Sequence, residues 1–169
     1  MLMEKTIKPM PLSHKKFAPF GDVIEKNNAC SFLINEGNAM RFNDLAKVDV
    51  EYLDGQASIN IFCAQATSFP LHLKILERHR LGSQAFYPLQ NHPYLVVVAN
   101  SMRGTSISGI KIFKAKGTQG VNYHRGVWHH PLIALQPNSD FIVIDRRGDQ
   151  NDTETIVLKP PHDRYIIKL

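Results

Sequence analysis

Two short stretches of this chain concentrate side chains able to do acid–base or metal chemistry. The first runs Gly117-Thr118-Gln119-Gly120-Val121-Asn122-Tyr123-His124-Arg125-Gly126-Val127-Trp128-His129-His130-Pro131. It holds three of the chain's eight histidines and its single tryptophan. Asn122, Tyr123 and Arg125 add an amide, a phenol and a guanidinium. Glycine-marked turns bracket the polar part, because glycine adopts backbone angles that other residues resist. Clustered imidazoles mark places where lone pairs or protons are used, so this hairpin reads as one wall of an active site. The plainer alternative is a hairpin with a structural Trp128 and a satisfied histidine or two.

The second stretch is Leu71–His79, where polar and apolar residues alternate. In a strand every second residue shares a face, so Leu71, Leu73, Ile75, Glu77 and His79 form one row. Its aliphatic start points that row at the interior, with Glu77 and His79 at its end. A carboxylate and an imidazole on an interior row need a reason, since burying them unpartnered is costly. A slipped register or a frayed strand end would instead leave both in water. Gly82 then turns the chain, and Gln84 shares a face with Phe86 on the next segment.

The elements that must carry these residues are strands. Thr6–Met10 reads as an edge strand that Pro9 ends. Ser13 is placed to cap a short helical turn, His14 to Phe17, stopped by Pro19. Asp22–Glu25 is a strand, and Lys26 to Asp44 is loop-like with one strand at Ser31–Ile34. Further strands are expected at Ala57–Ala64, Leu71–His79, Gln84–Leu89, Tyr94–Ala99, Ile107–Phe113, Gly120–His124, Trp128–Leu135, Phe141–Asp145, Thr155–Leu158 and Tyr165–Leu169. Short strands with Pro, Gly and Asn punctuation and almost no helical periodicity point to an all-β barrel or sandwich.

The 169 residues fit one domain, 1–169, with a real core. The composition, 43% hydrophobic and 21% charged, is that of a soluble globular protein. The net charge of +5 is scattered along the chain. It is not interleaved with aromatics, so small anions fit it better than nucleic acid does. Two distant cysteines, Cys30 and Cys63, suit a reducing, cytoplasmic setting rather than a stapled secreted domain. Cys63 sits in an apolar run and is expected in the core. The N-terminus has no apolar stretch of signal length. The run Leu95–Ala99 is too short to span a bilayer, so no membrane role is expected. His14 is expected in solvent, without a role.

Glu77, His79 and Gln84, followed some forty residues on by His124-Arg125-Gly126-Val127-Trp128-His129, resemble the two signature motifs of the cupin superfamily. In metal-bearing cupins those places ligate one ion inside a small antiparallel barrel or jelly roll. The resemblance therefore implies Glu77, His79, Gln84 and His129 as metal ligands, with Gln84 removing a charge that the usual glutamate supplies. One family fits more closely. Leu76–His79, Leu81–Phe86 and the thirteen residues Gln119–Pro131 resemble ureidoglycolate lyases. So do Pro11–Ser13, Phe17–Ile24, Arg41–Ala46 and Phe141–Arg146. The chain departs from that pattern at Arg80, where proline is usual, and at Asn43, where histidine is. The resemblance implies cleavage of (S)-ureidoglycolate to glyoxylate and urea in allantoin breakdown. It also implies a cytoplasmic homodimer, a divalent ion such as nickel and no organic cofactor.

The substrate so implied is a carbinolamine. Its cleavage needs a base for the hydroxyl proton and an acid for the departing urea nitrogen, without water or redox chemistry. Glu77, His79 and His129 are the catalytic candidates, and a bound cation is an alternative activator of the hydroxyl. A two-pronged guanidinium suits the substrate carboxylate. Arg41, in the matched block, comes first and Arg125 second. Gln84 and Asn122 can bond the urea amide, His124 lies in the matched motif, Trp128 can close the pocket, and His130 is structural. Two other classes are a metal-dependent cupin oxygenase or isomerase, and a non-catalytic cupin that binds a small acid.

Overall fold

A computed structural model describes residues 5–26, 31–103, 106–159 and 165–169. It is built from strands, with one four-residue α-helix, His14–Phe17, and one 3-10 turn, Asn35–Gly37, among the described residues. Two large sheets face each other. One has five strands, in the order Gly21–Ile24, Gly120–Tyr123, Gln84–Pro88, Ser139–Arg147 and Gln56–Ala64. The other has seven strands and includes Thr153–Val157, Ile75–His79, Trp128–His129, Tyr94–Ala99 and Lys111–Ala115 in that order. The all-β reading stands and a cupin-like jelly roll is compatible with it, but the two sheets do not close into one hydrogen-bonded barrel. Pairing is mainly antiparallel. Lys5–Ile7 with Tyr165–Ile167, and Met10–Pro11 with Lys111–Ala115, are parallel. No helix of the described residues is long and apolar enough to cross a membrane.

The Tyr94–Ala99 strand explains how the layers stack. All six residues are buried. Tyr94, Val96 and Val98 pack between the two large sheets with Phe86, Val121, Tyr123, Phe141 and Val143. Leu95, Val97 and Ala99 face the other way, onto Leu73, Leu76, Trp128, Tyr165 and Ile167. A strand buried on both faces reads as a continuous apolar run because neither side meets water. The second core lies under a three-stranded sheet of Lys5–Ile7, Tyr165–Ile167 and Leu71–His72.

That arrangement corrects the reading of Leu71–His79 as one strand. The chain changes sheets between His72 and Ile75. Leu71 and His72 pair with Ile166 and Ile167, whereas Ile75–His79 pairs with Thr153–Val157. Leu73 and Leu76, three residues apart, both enter the second core, so the two-residue period resets at the break. Leu71 and Leu73 therefore do not share a face with Glu77. Glu77 and His79 face the space between the two large sheets because Leu76, beside Glu77, points the other way into the second core.

Other departures are local. The segment read as mostly loop holds a second strand, Ala39–Phe42, which pairs with Ser31–Ile34. Its turn places Glu36 at φ 54. Ile107–Phe113 and Trp128–Leu135 are each two strands rather than one. The helix does start after Ser13, although the serine side chain makes no cap bond. Cys63 is exposed rather than in the core, because it lies toward the end of the edge strand Gln56–Ala64. Cys30 lies outside the described residues.

Candidate active site

Glu77, His79 and His129 meet at one point on the inner face of the seven-stranded sheet. Cross-strand pairing brings them there. His129 lies directly opposite Glu77 on one side and Val98 on the other. His79 is two residues beyond Glu77 on the same face. The hairpin leading to His129 turns at Arg125-Gly126, where the Val127 N–H donates to the His124 carbonyl at 3.2 Å. Gly126 has φ 80, an angle that disfavours a side chain. The Gly126 N–H then donates to the His79 carbonyl at 2.6 Å, tying the hairpin to the strand beside it.

The three side chains can offer one ligand atom each, all within 4.8 Å of one another. His129 Nε2 lies 3.7 Å from Glu77 Oε1, and the two imidazole centroids are 5.5 Å apart. The phenol ring of Tyr123, reaching across from the five-stranded sheet, stacks on His129 at 4.1 Å with the planes 9° apart. It fixes the ring plane of that imidazole.

The hydrogen bonds determine which lone pairs are free. His129 Nδ1 is 2.9 Å from the Val127 carbonyl. A carbonyl only accepts, so Nδ1 carries the proton and Nε2 keeps its lone pair. His79 Nδ1 lies 3.4 Å from Thr153 Oγ1. The Nε2 atoms of both rings are buried without a hydrogen-bond partner. Burial lowers the His129 pKa to about 3, so the ring is neutral near pH 7. Burial acts on Glu77 in the opposite sense and raises its pKa, partly countered by His79. Two orphaned imidazole nitrogens beside a carboxylate form a donor set suited to a divalent transition ion.

Of the other candidates, the structure turns one toward the same interior. Gln84, 5% exposed, pairs with Tyr123 on the inner face of the five-stranded sheet. Trp128 points the opposite way from His129, into the second core, where the Arg78 guanidinium lies 4.5 Å over its ring. It does not close a pocket over the triad. Asn122 alternates with Val121 and Tyr123 and so lies on the outer face of the five-stranded sheet. It is fully buried there, donating to Asp22 Oδ2 and to the Lys47 carbonyl at 3.0 Å each. On the same outer side, exposed His124 lies 3.3 Å from Asp22. Arg125 lies 3.6 Å from Asp49, with its guanidinium over Tyr52. Arg41 is exposed, over Phe32, and lines a shallow cavity of about 350 Å³ with Asn43, Asp44, Ala85 and Ile144. His130 Nδ1 lies 2.8 Å from the Pro131 carbonyl, which only accepts, so the ring donates there to the neighbouring backbone. His14 is half exposed and paired with Glu25 at 3.0 Å.

Sequence reasoning gave no site role to Tyr123, Asp145 or Asn60. Asp145 shares the inner face with Val143, and it accepts from Asn60 Nδ2 at 3.1 Å and from Gln84 Nε2 at 3.4 Å. Its parity with Val143 in an apolar strand was the available signal.

The profile of ureidoglycolate lyases matches residues 4–164. This chain belongs to the ureidoglycolate lyase family. A ureidoglycolate lyase of Burkholderia mallei (strain NCTC 10229) is 53% identical over 145 residues, 86% of this chain and 85% of that protein. One of Pseudomonas fluorescens (strain Pf-5) is 48% identical over 151 residues, 89% of this chain and 90% of that protein. One of Stutzerimonas stutzeri (strain A1501) is 46% identical over 150 residues, 89% of this chain and 88% of that protein.

Proposed function

We propose that this chain is a lyase that cleaves (S)-ureidoglycolate to glyoxylate and urea, with Glu77, His79 and His129 at the reacting centre. The observation that carries this reading is the triad itself: one carboxylate and two unpartnered imidazole nitrogens within 4.8 Å, in a chain of this family. Glu77 is the proton carrier. Burial raises its pKa in the metal-free protein, and it is the carboxylate of the triad, able to take and return a proton through one oxygen while the other faces a bound ion. It takes the hydroxyl proton of the carbinolamine. The oxygen's electron pair forms the carbonyl as the carbon–nitrogen bond breaks, and Glu77 returns the proton to the urea nitrogen. His129 is too weak a base for that step, and instead presents a fixed Nε2 lone pair beside Glu77.

A divalent ion held by Glu77, His79 and His129 would supply positive charge for the substrate carboxylate and hydroxyl oxygen. Nickel is the ion that the family resemblance suggests. The same reading places the chain in the cytoplasm, in allantoin breakdown, as a homodimer. The exposed thiol of Cys63 suits a reducing compartment. Ile59 and Ile61, 75% and 63% exposed on the edge strand Gln56–Ala64, offer an apolar surface for a second copy.

The test is incubation of purified protein with (S)-ureidoglycolate, measuring glyoxylate, urea and ammonia separately. Glyoxylate and urea should appear in equal amounts. Chelation should lower the rate and a divalent ion should restore it. Ammonia without urea would replace the lyase reading with a hydrolase one.

A further inference from the structure

Resting on the lyase reading, we propose that Asp145, Gln84 and Asn60 form the subsite that recognises the ureido group and so orients the substrate. The three sit side by side on the inner face of the five-stranded sheet, on neighbouring strands. Parity places them there. Asn60 pairs with Val143, and Gln84 with Tyr123, both of which pack between the sheets. Asp145 is two residues beyond Val143 on the same strand. Tyr123 connects this row to the triad, since its ring lies on His129.

The chemistry the row presents follows from its internal bonds. Asp145 Oδ1 accepts from the Asn60 amide, and Oδ2 from the Gln84 amide. Both amide nitrogens are therefore turned toward the carboxylate. The Gln84 oxygen is turned away from it, buried and without a partner. An amide beside a carboxylate has no alternative orientation, because its oxygen would face a negative charge. The row thus offers acceptors: Gln84 Oε1 and the remaining lone pairs of Asp145. A buried acceptor that stays unmatched costs free energy, so a ligand that brings N–H donors is favoured there.

A ureido group carries three N–H bonds and no charge, and it meets that requirement. The carboxylate end of the same molecule does not, because Asp145 repels it. Recognition by acceptors at one wall therefore sends the carboxylate toward the opposite wall, and the carbinol carbon is left beside Glu77. Asp145 and Gln84 act as specificity-determining residues, and they take no part in the proton transfer.

The test uses two small ligands. Ureidoacetate keeps the ureido and carboxylate groups but lacks the hydroxyl, so it cannot be cleaved by this route. Glyoxylate keeps the carboxylate and lacks the ureido group. Dissociation constants are measured by calorimetry for the wild-type protein, Asp145→Asn and Gln84→Met. Each variant should weaken ureidoacetate roughly tenfold to a hundredfold, the usual weight of a buried hydrogen bond to a charged or orphaned partner. Glyoxylate should hold within about twofold. Gln84→Met keeps the side-chain volume, so it carries the test if Asp145→Asn does not fold by circular dichroism. Equal weakening of both ligands, or weakening of neither, would overturn the proposal. Turnover of (S)-ureidoglycolate by the wild type is read in parallel. Its absence would defeat the lyase reading, while selective loss of ureidoacetate would still stand for the subsite.

Discussion

The two faces of the five-stranded sheet make an instructive contrast. The inner face carries Tyr123, Gln84, Asp145 and Asn60 against an apolar row, opposite Glu77, His79 and His129. Its polar side chains are few, buried or half-buried, and partly unmatched. The outer face carries Asp22, Asn122 and His124, with Arg41 and Arg125 near it. There most charged groups are exposed or half-buried and paired within the protein, although Asn122 Oδ1 and Arg146 Nη1 are buried without a partner there too. Both faces draw on the same motif-rich hairpin, since consecutive residues of Gly120–Tyr123 point to opposite sides. Richness in polar residues is therefore a poor guide to where chemistry happens. Unmatched buried atoms that converge beside a carboxylate, as His79 Nε2 and His129 Nε2 do, are a better guide than isolated ones, because one ligand can use them together.

The largest difference between the faces should appear in turnover. Glu77→Gln or His129→Ala should lower kcat by on the order of a hundredfold to ten-thousandfold, the weight of a positioned proton carrier or ligand at the reacting centre. Circular dichroism should show both variants folded. Near wild-type rates in both would move the reacting centre away from the inner face.

The pH dependence of stability should separate the faces next. Burial holds the His129 pKa down to about 3 in the folded state, whereas the unfolded ring titrates near 6.5. The unfolded chain thus binds more protons as pH falls below about 6.5, and stability drops from there toward pH 3. The slope approaches about 1.4 kcal/mol per pH unit for one such group. Glu77 has the opposite sign. Its raised pKa gives stability at low pH that is lost as pH rises through that pKa, so it offsets part of the loss. Urea denaturation of metal-free protein at pH 7, 6 and 5 should show a steeper loss for wild type than for His129→Gln. Parallel slopes would mean that water reaches His129 in the folded state.

The smallest effect is expected on the outer face. Arg41 is exposed and is not brought to the triad. Arg41→Lys should change KM for (S)-ureidoglycolate by less than about threefold, the scale expected of an exposed charge. A large rise in KM, at unchanged kcat, would show that the outer face joins the substrate site after all.

Much of this molecule was legible in the sequence, for identifiable reasons. The two-residue period of a strand fixed that Glu77 and His79 share a face, and that Gln84 goes with Phe86. The hairpin residues pointed to His129, and the turn at Gly126 was written in its glycine. The strand bounds Tyr94–Ala99 and the helix after Ser13 came from local composition and stop signals. Periodicity, however, says which residues share a face and not which face meets the other sheet. That choice was made by pairing between distant segments. The break between His72 and Ile75 reversed the row of leucines because the chain there leaves one sheet for another. Pairing of Gly120–Tyr123 with Gln84–Pro88 placed Tyr123 inside, and by the same alternation placed Asn122 outside. His129 came inward with Val98 while Trp128 went with Ala99 into the second core. Asp145 and Asn60 became partners across 85 residues of sequence, a contact no local pattern encodes. Types and spacings within a strand are set by the chain itself, whereas the side that becomes interior is set by which strands bury their apolar surfaces together.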